Sequence, residues 1–114
     1  MYKRGEVYLA QLNPTKGDEV GKISAVVIYQ TDMLNDISHT TTTILPMSAQ
    51  LIDDTYPLRY KIIKRDNLEK TSEILCDQIR TIANKRIIGE KLTTLTPKEM
   101  LEVDMQVKIV LGID

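Results

Sequence analysis

Ser24-Ala25-Val26-Val27-Ile28-Tyr29-Gln30 is an unbroken β-branched and aromatic run between two polar residues. A strand that covers one face of a sheet alternates apolar and polar residues; a continuous run predicts a strand buried on both faces. That one segment calls for a sheet with cover on two sides, and its neighbours supply the rest. Upstream, Gly5 to Leu12 (GEVYLAQL) sets Val7 and Leu9 against Glu6, Tyr8 and Ala10 and predicts a partner strand. Asn13 to Ser24 joins the two as a polar loop with Pro14, Gly17 and Gly21. Charged loops held between strands are where rigid scaffolds carry binding or catalysis.

Downstream, Thr31 to Asp36 has room for one turn of helix or a loop, with Thr31 as a cap. Thr40 to Met47 (TTTTILPM) has strong β propensity, and Pro46 predicts an edge or a bulge near its end. Ser48-Ala49-Gln50 then lie where the strand leaves the sheet, free to face a cleft. Leu58 to Lys64 alternates as a half-exposed strand, and Arg65 to Lys70 reads as a connector. Ser72 to Cys76 and Gln78 to Ile82 are short strands, and Lys85 to Lys91 is a last one, broken at Gly89. Thr96-Pro97-Lys98-Glu99 is a capping box with proline at the first helical position. Met100, Val103, Val107 and Val110 follow at helical spacing, widened by Leu101, Met105 and Leu111, and Gly112 supplies a stop. That stripe is expected to pack on the sheet, or partly on a second subunit. Short strands, one small helix and a terminal helix predict a small curled sheet or barrel.

The chain has 114 residues, enough for one domain that buries roughly two-thirds of its unfolded surface. With no Phe or Trp and five Tyr, the core must be aliphatic. Fifteen Lys and Arg against sixteen Asp and Glu give a net charge of −1, so a nucleic-acid partner would need a local basic strip. One cysteine, Cys76, excludes an internal disulfide and a cysteine-based zinc cluster; its apolar setting predicts a buried, inert thiol. The first residues carry no apolar signal region, and no apolar run nears the length of about 18 residues that a spanning helix needs. A cytoplasmic protein without a membrane partner is expected.

His39 is the one imidazole, in a polar run, and is expected to be exposed. No spacing of acids resembles a metal loop, and Gly17 and Gly21 match no nucleotide-binding fingerprint. No metal or cofactor is expected. What remains is acid–base and electrostatic chemistry. Glu19 and Asp77 are candidate proton acceptors, Lys16, Lys22 and Arg80 candidate phosphate holders, and Ser48 a hydroxyl donor. Cleaving RNA through its own 2′-hydroxyl needs no more than that set. The same residues also read as ordinary surface charge.

Arg4-Gly5-Glu6-Val7-Tyr8, Leu12 to Glu19 and Val26-Val27-Ile28 resemble the opening of the MazF/PemK (Kid) toxins of type II toxin–antitoxin systems. Ser48-Ala49-Gln50 and Asp77-Gln78-Ile79-Arg80-Thr81-Ile82 are similar to two further segments of that family, in order and at compatible spacing. The resemblance implies a mainly β, SH3-like small barrel of the CcdB/PemK type over residues 1–114, with a C-terminal helix on the sheet. It implies a homodimer that cuts single-stranded RNA (mRNA) at short sequence motifs without metal, blocked by a cognate antitoxin protein. Carried over, Ser48 stands where the family has a catalytic Thr, Glu19 matches its loop Glu, and Asp77 matches an acid proposed as general base. Gln78 and Arg80 would line or brace the RNA groove, with Gln50 beside Ser48 and Lys16, Gly17, Asp18 and Lys22 on the loop.

Ser24 and Ala25 occupy the positions of the family's Arg-Pro pair, which puts Ser24 at the site of its phosphate-stabilising arginine. Two alternatives therefore stand beside the ribonuclease reading: a toxin-like domain that binds antitoxin or RNA without cutting, and a gyrase-directed toxin of the CcdB kind.

Overall fold

The computed structural model describes residues 2–12 and 22–114. Among them, seven strands form one antiparallel sheet: β1 (Glu6–Gln11), β2 (Ile23–Ile28), β3 (Thr41–Ser48), β4 (Arg59–Ile62), β5 (Ser72–Leu75), β6 (Arg80–Ala83) and β7 (Ile87–Thr94). Two helices, α1 (Asp32–Asn35) and α2 (Pro97–Leu111), and a 3-10 turn at Asn84–Arg86 complete it. The order across the sheet is β4-β5-β3-β2-β1-β7, with β6 also paired to β3. This is the mainly β arrangement with a C-terminal helix that the sequence predicts.

The central run is covered on both faces. Val27 packs with Val7, Leu45 and Ile74 under the α2 residues Met100, Val103 and Val107. Val26 and Ile28, pointing the other way, pack with Ala10, Ile44, Ile82 and Ile87. Helix α2 starts as predicted: the Glu99 N–H donates to Thr96 Oγ1 (3.1 Å) and the Thr96 N–H to Glu99 Oε1 (2.8 Å). Gly112, at φ 69°, ends the helix in the left-handed region that glycine favours.

Pro46 shapes the sheet around the later cleft. The Thr43 carbonyl accepts from the Tyr29 and Gln30 N–H groups, so residue 43 faces β2 and, by alternation, residues 44 and 46 face β5 and β6. Proline has no N–H to give on that side. Pairing with β6 ends at Ile44↔Arg80 and resumes with β5 at Met47↔Ile74, leaving residues 76–79 as a corner. The predicted bulge is thus a kink in the partner strand, while β3 itself stays central. The corner also moves the sixth strand: Gln78 donates its N–H to Leu75 O in a turn, and pairing starts only at Arg80.

The last strand differs from expectation. It runs through Gly89 (φ 74°) to Thr94 instead of breaking, because two steps along β1, from Val7 to Leu9, match five along β7, from Thr93 to Ile88. The extra residues bulge out, and a left-handed glycine takes the bend. The opening Arg4-Gly5 pair is structural. Arg4 donates Nε–H to Tyr29 O and Nη2–H to Asp104 Oδ1, and its guanidinium stacks 4.7 Å from the Tyr29 ring centre, tying the N-terminus to α2. Cys76 is buried as expected; burial, with Asp77 beside it, pushes its thiol up to about 12. Among the described residues no helix is long and apolar enough to cross a membrane.

Candidate active site

Four chain segments meet at the C-terminal end of β3. The start of β2 brings Lys22 and Ser24, β3 brings Met47 and Ser48, β4 brings Arg59, and the β5–β6 corner brings Gln78 and Arg80. With Leu12, Pro46 and Leu75 they line a cleft of about 290 Å³. Its charged lining groups are Lys22, Arg59 and Arg80, all cationic, so a strongly basic strip exists on a chain of nearly neutral net charge. A second hollow of about 340 Å³ shares Lys22, Ser24, Met47 and Ser48 and runs on past Leu9, Ile23 and Ala25 to Lys70.

Each polar group is held by its local fold. Ser48 is the last residue of β3, paired with Glu73; its Oγ accepts the Gln50 N–H at 3.1 Å and sits 3.5 Å from Gln50 O, a long contact. Arg80 opens β6 and donates Nη2–H to Leu12 O (3.0 Å), which ties the corner to the end of β1. Arg59 opens β4 and donates Nη1–H both to Gln50 O and to Glu73 Oε1, each at 3.0 Å.

The described structure brings together five of the candidate residues: Lys22, Ser24, Ser48, Gln78 and Arg80. Gln50 contributes its backbone to the site, with its side chain exposed beyond the lining. Asp77 is exposed on the corner and is not among the lining residues. Lys16, Gly17, Asp18 and Glu19 lie outside the described residues. His39 is exposed, near Thr41 at the far end of β3. Among the described residues no three His, Cys, Asp or Glu side chains are grouped to share a metal ion.

Arg59 does not stand out in the sequence, where it is one residue of the half-exposed alternating strand Leu58 to Lys64. A signal existed in its partner. Glu73 stands inside the apolar run Ser72 to Cys76, and a carboxylate carried into a core demands a cation.

The fold and cleft first define a class. The chain has the fold of "Mycobacterium tuberculosis toxin MazF-mt6", with a TM-score of 0.78 and 16% identity over 96% of this chain and 98% of that one. It is similar in the same way to an endoribonuclease in complex with its cognate antitoxin from Mycobacterial species (TM-score 0.78, 19% identity, 100% of this chain and 98% of that one). MazE-MazF (Form-III) from Deinococcus radiodurans gives 0.78 and 15% identity over 99% and 98%. At such identities the likeness is one of fold. The family follows from sequence: the profile described as PemK-like, MazF-like toxin of type II toxin-antitoxin system matches residues 3–111, and the chain belongs to that family.

Proposed function

We propose that the protein is an endoribonuclease toxin, cutting single-stranded RNA at short sequence motifs through the RNA's own 2′-hydroxyl, without metal, in the cytoplasm. The observation that carries this reading is the convergence of Ser48, Lys22 and Arg80 in one cationic cleft. In-line attack of the 2′-oxygen on phosphorus needs a base, donors for the charge that gathers on the phosphorane oxygens, and a proton for the departing 5′-oxygen. Lys22 and Arg80 supply positive charge and Ser48 an O–H donor, with Gln78 beside them. Glu19 and Asp77 are the two candidate bases, and Asp77 stands exposed on the corner next to the lining residue Gln78. A cognate antitoxin restrains the enzyme; one endoribonuclease among the similar structures is in complex with its own.

The purified protein, incubated with long single-stranded RNA in EDTA, is expected to give discrete fragments ending in 2′,3′-cyclic phosphate. Lys22→Ala should slow this about tenfold, the equivalent of about 1.4 kcal/mol of barrier. Intact RNA in that assay overturns the reading. Because Ser24 lines the cleft where the family has arginine, a silent wild type that starts cutting as Ser24→Arg/Ala25→Pro would point instead to a binder that does not cut.

The reading includes a homodimer. The sheet face that buries Val7 and Val27 under α2 continues to Leu9, Ala25 and Ile23, and across to Ile88. Leu9 (37% exposed), Ile23 (52%) and Ile88 (38%) lie there uncovered, Leu9 and Ile23 next to the cleft. A second copy of the chain is the occupant that would bury them. Light scattering is expected to show a dimer, and Ile23→Asp a monomer; a monomeric wild type at micromolar concentration would refute this.

A further inference from the structure

The three cations of the cleft are held in different ways. Lys22 is exposed and has no side-chain partner among the described residues, and Arg80 is tied by one hydrogen bond. Arg59 is fixed twice through a single nitrogen, Nη1, by Gln50 O and by Glu73 Oε1. Glu73 belongs to a strand whose four residues are all buried; its side chain is 7% exposed, and the same oxygen also accepts the Ile52 N–H at 3.0 Å. A carboxylate that deep is costly unless paired. Something must justify keeping a carboxylate in β5, whose other residues are Ser72, Ile74 and Leu75.

We propose that Arg59 is the phosphate-gripping guanidinium of this cleft and that Glu73 is its positioning residue. Nη1 carries both anchors, and among the described residues neither Nε nor Nη2 has an acceptor. Nε–H and Nη2–H form the side-on edge of the guanidinium, two parallel donors that match two oxygens of one phosphate. The plane is set before substrate arrives, so gripping the phosphate costs little reorganisation. The Arg59–Glu73 pair is neutral as a whole, so its contribution is directional, and the attractive field comes from Lys22 and Arg80. Arg59 thereby supplies the fork that Ser24 cannot, since a serine offers a single O–H.

The proposal rests on the ribonuclease reading, and its test separates the two. Arg59→Lys keeps a cation opposite Glu73 and removes the fork. Arg59→Met/Glu73→Leu removes the pair and refills its space, a replacement that is often neutral for stability. Two readouts apply: kcat on long RNA, and affinity for a 2′-O-methyl oligoribonucleotide, which cannot be cut through a 2′-hydroxyl. Both variants are expected to lose about 10²-fold in kcat and about tenfold in affinity, with unchanged melting temperatures. Glu73→Gln should lose kcat without losing affinity to the same degree, because it loosens the fork and leaves the cation. Arg59→Lys that binds and cuts like a cleaving wild type overturns the proposal and leaves the ribonuclease reading intact. If the wild type does not cut, that reading fails, and the affinity loss alone decides whether Arg59 holds phosphate.

Discussion

Ser48→Ala is expected to lower the rate of RNA cleavage by about 10²–10³-fold while leaving the melting temperature within a degree or so of wild type. The size follows from what the hydroxyl has to do. Ser48 ends β3 in register with Glu73, half-buried on the cleft wall, so its position is set by the sheet. Its oxygen takes the Gln50 N–H at 3.1 Å, and the 3.5 Å separation from Gln50 O leaves the O–H proton loosely engaged. A fixed oxygen with an available proton is the form in which a donor stabilises a developing oxyanion most. Alanine removes the donor and keeps the backbone, and Gln50 N–H, exposed at the rim, can turn to water instead. Ser48→Thr keeps the hydroxyl and should retain most activity. Single-turnover cleavage with all three proteins checks this; an alanine variant within threefold of wild type would remove Ser48 from the chemistry.

The parts of the fold that were legible in the sequence are those in which one local pattern suffices. The run Ser24 to Gln30 announces a strand covered on two sides, and Thr96 with Glu99 announces a helix start, because propensity and burial agree there. The parts that were not legible depend on pairs far apart in the chain. Gly89 reads as a break because nothing local tells a strand's end from a bulge; the register against Leu9 makes it a bulge. The site divides in the same way. Ser48 and Arg80 could be picked out by type and by their neighbours in sequence. Arg59 acquires its meaning only from Glu73 and Gln50, fourteen and nine residues away. Asp77 stands out by motif, and its place on the exposed corner opposite Pro46 comes from the pairing of β3 with both β5 and β6.

Glu99→Ala is expected to cost about 2–3 kcal/mol at neutral pH and to lower the melting temperature by roughly 10 °C. One carboxylate closes two structures. Its Oε1 accepts the Thr96 N–H (2.8 Å), completing the cap of α2, and also Arg65 Nη2–H (2.7 Å); its Oε2 accepts Arg65 Nη1–H (2.8 Å). Arg65 in turn reaches Thr93 Oγ1 and Thr94 O, so the bidentate pair clamps the connector before β5, the end of β7 and the start of α2. Both side chains are less than one-third exposed, which sets this pair apart from a solvated surface bridge. The hydrogen bonds from Arg65, followed by the cap, hold the Glu99 carboxyl below its ordinary 4.5, against an opposing effect of burial. The sign follows directly: a carboxyl whose folded pKa is depressed contributes its full stabilisation above the unfolded value and loses it as pH falls through the folded one. The same contact raises Arg65 above its ordinary value, far from any pH of interest. Glu99→Gln should therefore lie well below wild type in urea melts at pH 7, and the gap should narrow steadily as pH falls from about 5 towards 3. A gap that stays constant over that window would mean that the cap and packing carry the effect and the charge does not.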